Sequence, residues 1–539
     1  MPGGEGPAPS PTPAPAPPRE GVARSAGIVA SATMGSRVLG LARESVFAAL
    51  FATSGIADAF VMAFRIPNLL RDFFAEGALA SAFVPQFTEV GAKEGPERAI
   101  LLARRTLGTL AAITGLIAVL GIVFAPFVVS LVAWDVKPGE EPLVIHLTRV
   151  MFPFLPLVAV AAVLMGVLNA RSRYFMPALA PMLFNVVAVV GGLVVLALGL
   201  PAETAITVWA VLVVLGGLAQ VVIQLPVVRA VGWRGGPLLD LRFRDPALRT
   251  IAKRMGPVVL SLAATNVMIL ITTGLASGEQ SWVSSLNYAF RLVHLPIGIV
   301  GVALGTIVLS AGARARATQS DAALDDLGRR ALRLNAFLSV PAAVGLLVLA
   351  EPLVRLLYER GAFTAESTAQ TAKALRAYAL GILGYAGVKA AAPLFLARGD
   401  TKTPVRCSVL GIAVNVGLAF ALVGPLGHVG LALAVAAGAT VNFAALRWVA
   451  WRQHGPTSFP GLAFLLRIAI AAGLMGGLGV LARLAWPGGD LGAGSRTLDA
   501  ALTLGVVAVL GLAYFGLAAA LGVSEGRELV QRLRRRAPR

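Results

Sequence analysis

Ala63-Phe64-Arg65-Ile66-Pro67-Asn68-Leu69 and Ala289-Phe290-Arg291-Leu292-Val293-His294-Leu295 share one pattern at an offset of 226 residues. A second pair keeps nearly the same offset. Ala170-Arg171 followed by Pro177, and Ala397-Arg398 followed by Pro404, lie 227 residues apart. Two distant matches at one offset mark an internal duplication rather than chance agreement among Ala- and Leu-rich segments. Six apolar helices separate the copies, so both halves keep the same orientation. Parallel repeats of this kind build secondary transporters, with the substrate site expected between the halves.

Around these repeats the composition calls for a membrane. Of 539 residues, 57% are hydrophobic and 14% charged, whereas an average soluble domain carries about 25% charge. A spanning helix takes roughly 20 apolar residues. Fourteen such helices are expected near 25–52, 56–90, 99–133, 142–169, 176–199, 203–230, 249–275, 280–312, 328–355, 367–397, 403–424, 428–452, 461–486 and 498–522. Residues 1–20 are Pro-rich, lack the apolar stretch of a signal peptide, and read as a disordered tail. The expectation is an all-α polytopic membrane protein. Its parts are an N-lobe over 21–235, a C-lobe over 236–455, two added helices within 456–525 and a basic tail over 526–539.

The connections test the count. The odd-numbered ones, such as 53–56, 134–142, 276–280 and 356–366, are short, with few Lys or Arg. The even-numbered ones carry the basic residues, among them Arg98, Arg104, Arg105, Arg171, Arg173, Arg242, Arg244, Arg314, Arg398 and Arg452. This alternation puts both termini in the cytoplasm and accounts for the net charge of +19 without invoking nucleic acid.

A charge at the bilayer centre costs roughly 2.5–3.5 kcal/mol on insertion scales, so such residues face a partner or a wet cavity. Helix 1 carries Arg37, Arg43 and Glu44, with Arg37 and Glu44 on one face and Gly35 and Gly40 open to close approach. Helix 2 carries Asp58, Arg65, Arg71, Asp72 and Glu76. Helix 8 has Arg291 in an otherwise apolar, hydroxyl-rich span, and helix 10 has Lys389. Arg37, Arg43, Arg71 and Arg291 together suggest a cationic cavity. Guanidinium groups stay charged and fork onto phosphate oxygens, so a pyrophosphate suits them better than sodium or an organic cation. Structural pairing with Glu44, Asp72 and Glu76 is the competing explanation.

Catalysis finds little support. Asp72 with Glu76 is the one close carboxylate pair within a helix, and arginines flank it. Cys407 is the single cysteine, and the four histidines are scattered, so neither a disulfide nor a zinc site is expected.

Ser36-Arg37-Val38-Leu39-Gly40-Leu41-Ala42-Arg43-Glu44 resembles the opening of the MurJ (MviN) family, the lipid II flippases of peptidoglycan synthesis. Ala57-Asp58-Ala59-Phe60, Pro67-Asn68-Leu69-Leu70-Arg71, Phe74-Ala75-Glu76-Gly77-Ala78 and Gly301-Val302-Ala303-Leu304-Gly305-Thr306 extend the resemblance. So do Arg360-Gly361-Ala362-Phe363-Thr364 and Asp400-Thr401-Lys402-Thr403-Pro404. It implies the multidrug/oligosaccharidyl-lipid/polysaccharide exporter fold, two six-helix lobes plus two helices forming a lipid-tail groove. It places the cavity arginines on Arg37, Arg43, Arg71 and Arg291, with the acidic position after helix 1 on Asp58. Glu44, Asp58, Glu76 and Lys389 are the expected gating and charge partners, and Gly40, Pro67 and Gly298 the candidate hinges. Phe290 and His294 depart from the polar residues often found beside the helix 8 arginine, which leaves the partner of Arg291 open.

The resemblance implies a transporter of the bacterial inner membrane, not an enzyme. Its substrate would be undecaprenyl-pyrophosphate-linked disaccharide-pentapeptide, moved from the cytoplasmic to the outer leaflet. Membrane lipids and cell-wall synthesis or division proteins are the other partners, without nucleic acid. No cofactor is expected; membrane potential or a monovalent ion would reset the cycle. An O-antigen-type flippase, a cation-coupled drug antiporter and a non-transporting cell-wall scaffold are the alternatives.

Overall fold

The computed structural model describes residues 19–75, 78–137, 139–233, 240–242, 244–318, 321–455, 460–485 and 496–527. Among them are seventeen helices and no strand. The first half holds α1 (Arg19–Phe51), α2 (Gly55–Ala75), α3 (Ala78–Glu94), α4 (Pro96–Val123), α5 (Ala125–Val132), α6 (Glu141–Met151), α7 (Phe154–Ala170), α8 (Phe175–Leu198) and α9 (Ala202–Ala230). The second half holds α10 (Pro246–Ala276), α11 (Trp282–Thr318), α12 (Asp321–Tyr358), α13 (Ala365–Ala379), α14 (Ile382–Ala397) and α15 (Lys402–His454). Two further helices, α16 (Leu462–Leu484) and α17 (Arg496–Ala520), pack on α12 and on each other. Helices α1–α9 pack mainly among themselves and α11–α15 among themselves, while α10 touches both α3 and α15.

Breaks in the expected helices have local causes. The span expected over 142–169 divides into α6 and α7 because Pro153 has no N–H to continue the ladder. Pro126 opens α5 in the same way after Phe124. Helices α13 and α14 meet at 41°. Helix α15 is a hairpin: Gly427, at φ 57° and ψ −139°, turns the chain back in a region that favours glycine. Its two limbs then touch backbone to backbone, since a Cβ on Gly411 would lie 2.7 Å from the Gly438 carbonyl oxygen. The expected pair 403–424 and 428–452 is this hairpin. Arg19 and Glu20, expected in the tail, form the first turn of α1.

Among the described residues, eight helical runs are long and apolar enough to cross a membrane, nine with the bent pair α13–α14. Helices α1, α2 and α11, which carry the intramembrane charges, do not pass that test. Of these charges, Arg37, Arg43 and Glu44 of α1 meet α11 between the halves.

The connections segregate as the charge alternation predicts. At one end, Glu140 and Gln280 close on Gly55, the Asp135 N–H donates to Ser277 Oγ, and the Ala362 N–H donates to the Ala49 carbonyl. Segments 53–56, 134–142, 276–280 and 356–366 therefore meet there. At the opposite end the basic connections are tied by ion pairs such as Arg398–Asp325 at 2.6 Å and Arg333–Glu525 at 2.6 Å.

Asp245 anchors the crossover between the halves at that basic end. Its carboxylate caps α10 through the Ala247 N–H at 3.0 Å. It also accepts from Arg98 Nη2 at 3.1 Å and Arg105 Nη1 at 2.7 Å, both on α4. Burial would raise its pKa, but the hydrogen bonds from Arg98, Arg105 and Ala247 outweigh this and hold it below the ordinary aspartate value. The sign follows: this stability is complete above the unfolded aspartate range, near about 3.9, and is lost as pH falls through the lowered folded value. Asp245→Asn is expected to lower the melting temperature in detergent at pH 7, and the gap to wild type to narrow as the pH falls toward 3. A gap that stays constant with pH contradicts this ion-pair account.

Candidate functional site

The charges of α1 and α11 meet between the halves. Glu44 is buried and accepts from Arg43 Nη2 at 2.6 Å. Arg291, from the other half, brings its Nε to 3.4 Å from the same carboxylate oxygen. Sequence reasoning had left the partner of Arg291 open, and Glu44 fills the role across 247 positions. Phe290 and His294 instead lie against each other, ring centroids 4.2 Å apart and planes tilted by 58°, and His294 Nδ1 bonds to the Phe290 carbonyl.

One carboxylate thus faces two guanidinium groups, and the cluster keeps a net positive charge. Arg43 is held by Asn185 Oδ1 at 3.1 Å and lies over the Phe184 ring at 5.3 Å. Arg43 has 17% of its side chain exposed and Arg291 46%, so Arg291 is the group an incoming anion meets. Glu44 engages only its Nε, which leaves the two terminal nitrogens for another acceptor. Arg71 and Arg291 both act electrostatically on Arg43. Arg37 lies seven residues before Glu44 on α1, about two turns, its guanidinium against Gly298 of α11. A Cβ there would sit 2.8 Å from Cζ of Arg37, so this glycine admits the arginine. Gly35 and Gly40 face the side chains of Met182 and Asn185 on α8 rather than a backbone. Lys389 is exposed on α14, near His294 and apart from the Glu44 cluster. Glu76 and the Asp72 side chain lie outside the described residues.

Asp58 works at the other level of the site. It accepts the backbone N–H groups of Ser281 at 2.6 Å and Ser284 at 2.7 Å, where α11 begins. A carboxylate from the first half thereby caps a helix of the second. Around it, Thr53 Oγ1 and Ser367 Oγ are 2.7 Å apart, Ser281 Oγ donates to the Thr53 carbonyl, and Tyr288 OH donates to the Ala52 carbonyl at 2.9 Å. Below this seam the rings of Phe47, Trp209, Tyr288, Tyr358 and Phe363 form a continuous plug. At about 1.5 Å per residue, Arg291 lies roughly 15 Å below Ser281, close to the middle of a hydrocarbon core about 30 Å thick.

The space beside the triad is small. A cavity of about 60 Å³ is lined by Arg43, Glu44, Arg65, Asn68, Trp209, Asn287 and Arg291. A second, of about 70 Å³, shares Arg65 and Asn287 and reaches toward Tyr378 and Val435. Pockets for drug-sized ligands run to roughly 300–1,000 Å³, so the site is contracted. Asn185, Asn287 and Trp209 were missed from sequence. Asn185 at least had a signal: a carboxamide in the apolar helix α8 needs partners, and it donates to the Ser36 and Pro181 carbonyls.

A family model described as "Lipid II flippase MurJ" matches residues 47–492. A probable lipid II flippase MurJ of Rhizobium meliloti (strain 1021) is 36% identical over 92% of this chain and 93% of that protein. The lipid II flippase MurJ of Burkholderia cenocepacia is 35% identical over 84% of this chain and 88% of its own length. A solved lipid II flippase MurJ in an inward closed conformation superposes with a TM-score of 0.77 at 22% identity, covering 93% of this chain and 99% of that one. An inward-facing multidrug transporter of the MATE family, in the MOP superfamily, gives 0.65 at 17% identity over 79% of this chain and 97% of its own. At those identities the two structures establish the shared fold.

Proposed function

This chain belongs to the MurJ family of lipid II flippases, and from that premise we propose how its site moves the lipid. It transports lipid II, the undecaprenyl-pyrophosphate-linked peptidoglycan precursor, from the cytoplasmic to the outer leaflet by alternating access. It is a multi-pass protein of the bacterial inner membrane, with fourteen crossings, two six-helix lobes and both termini in the cytoplasm. The end sealed by Asp58 then faces outward. No bond of the lipid is made or broken, so the protein is a transporter and not an enzyme.

One observation carries this reading: Arg43 and Arg291, one from each half, converge on the single carboxylate of Glu44 at mid-depth. A pyrophosphate entering from the inner side takes the terminal nitrogens of Arg291, which Glu44 leaves open, and draws Arg37, Arg43 and Arg71 to its remaining oxygens. Binding both halves at once changes which closed arrangement is stable. The cavity must widen to admit the headgroup, and Gly298 and Pro67 offer hinge positions. Release outward requires the Asp58 cap and the aromatic plug to part. Membrane potential or a monovalent ion restores the starting state, and Glu44 reclaims Arg291.

The test is rescue of a cell depleted of its own lipid II flippase, with membrane abundance followed by blot. Wild type is expected to restore growth. Abundant, inserted protein without rescue moves the substrate to a different polyprenyl-linked glycan.

A further inference from the structure

Three arginines from three helices gather where a cation is least expected. Arg355 of α12, Arg376 of α13 and Arg483 of α16 surround Glu351 at 3.9, 3.6 and 3.6 Å. This is the end occupied by the 356–366 connection, the outer side under the topology proposed above, where basic residues are sparse. Part of the arrangement is structural. Pro352 cannot donate to the Val348 carbonyl four residues back, and α12 leaves helical geometry at Leu349. Arg483 Nη1 supplies that missing donor at 3.1 Å, which fixes α16 to the kink. Arg355 also reaches Glu359 Oε2 through Nε at 3.4 Å. Arg376 and Arg483 together face the one carboxylate of Glu351.

Arg376 and Arg483 meet Glu351 loosely. Each arginine stands too far from Glu351 for a hydrogen bond, so the carboxylate occupies the centre of a guanidinium ring without closing it. Arg376 and Arg483 keep over a third of their side chains exposed, and Glu351 about a third. The depth is also informative. Glu351 lies seven residues before the end of α12, about 10 Å, while Arg483 is in the last turn of α16. Helix α12 therefore continues past the point where α16 ends, and the cluster sits on that step toward one end of the bundle.

We infer that the Arg355–Arg376–Arg483 cluster is a binding site for a lipid phosphate at the outer face of the membrane, with Glu351 as the anion that the phosphate displaces. The chemistry is a phosphate ester on an apolar tail. It is supplied either by the exported isoprenyl pyrophosphate or by an anionic phospholipid of the leaflet. The orientation rests on the proposed topology; the binding does not.

The experiment uses the full chain in detergent, with Arg291→Gln as the background so that the central cavity contributes little. Probes are farnesyl pyrophosphate, dicaproyl phosphatidylglycerol and inorganic pyrophosphate, titrated by thermal shift. Farnesyl pyrophosphate is expected to bind in that background. Arg376→Gln should weaken it about tenfold, as expected for one charge-assisted contact. Glu351→Gln should tighten it several-fold, an opposite sign that a misfolded variant does not produce. Equal competition by phosphatidylglycerol assigns the site to bulk phospholipid; preference for the isoprenyl probe assigns it to the exported lipid. If no probe binds, or if binding ignores both Arg376→Gln and Glu351→Gln, the cluster is only a staple between helices and the inference is overturned. Failure of the cavity reading shows separately, as farnesyl pyrophosphate binding that does not fall from wild type to Arg291→Gln.

Discussion

Arg291→Ala is expected to abolish rescue of flippase-depleted cells while the protein stays abundant in the membrane. The expectation rests on what the substitution removes and what it leaves. Glu44 keeps Arg43 at 2.6 Å, so no buried carboxylate is stranded and folding should survive. Lost are the two terminal nitrogens aimed at an incoming anion. Two charge-assisted hydrogen bonds are worth about 3 kcal/mol or more, so loading should fall at least about a hundredfold. Arg291→Lys keeps the charge without the planar fork and should rescue in part. If Arg291→Ala rescues as well as wild type, the pyrophosphate is held elsewhere and the assignment of Arg291 fails.

Closing the seam around Asp58 covalently should stop the cycle reversibly. Thr53 Oγ1 and Ser367 Oγ lie 2.7 Å apart across the halves, so cysteines at these two positions stand near bonding distance. The chain's single native cysteine, Cys407, is buried and offers little competition. In Thr53→Cys/Ser367→Cys, oxidation should eliminate transport of labelled lipid II in vesicles, reductant should restore it, and neither single variant should respond. Full transport by protein shown to be cross-linked means that this seam need not open, and the alternating-access account fails at its outer step.

Much of the architecture was legible because a bilayer enforces simple rules. Apolar length marked eight of the helical runs, and sparse basic residues marked the connections that gather at one end. What stayed hidden was pairing over long separations. Asp58 meets Ser281 and Ser284 across more than 220 positions, and no local pattern announces a helix capped by a residue from another part of the chain. The arginines could be listed because charge in an apolar run is conspicuous. Their shared carboxylate could not be assigned to Arg291, because Glu44 already had Arg43 beside it in sequence. Asn185 was passed over because a carboxamide is less conspicuous than a charge, although it needs partners just as much.

The cap on α11 also makes a clock. A helix whose first amides are satisfied by a residue from the opposite half is finished only while the outer end is shut. Each opening bares the Ser281 and Ser284 amide protons to solvent, so deuterium uptake there records the time spent open. The molecule thus reports its own duty cycle through two backbone amides, with no probe grafted onto the chain.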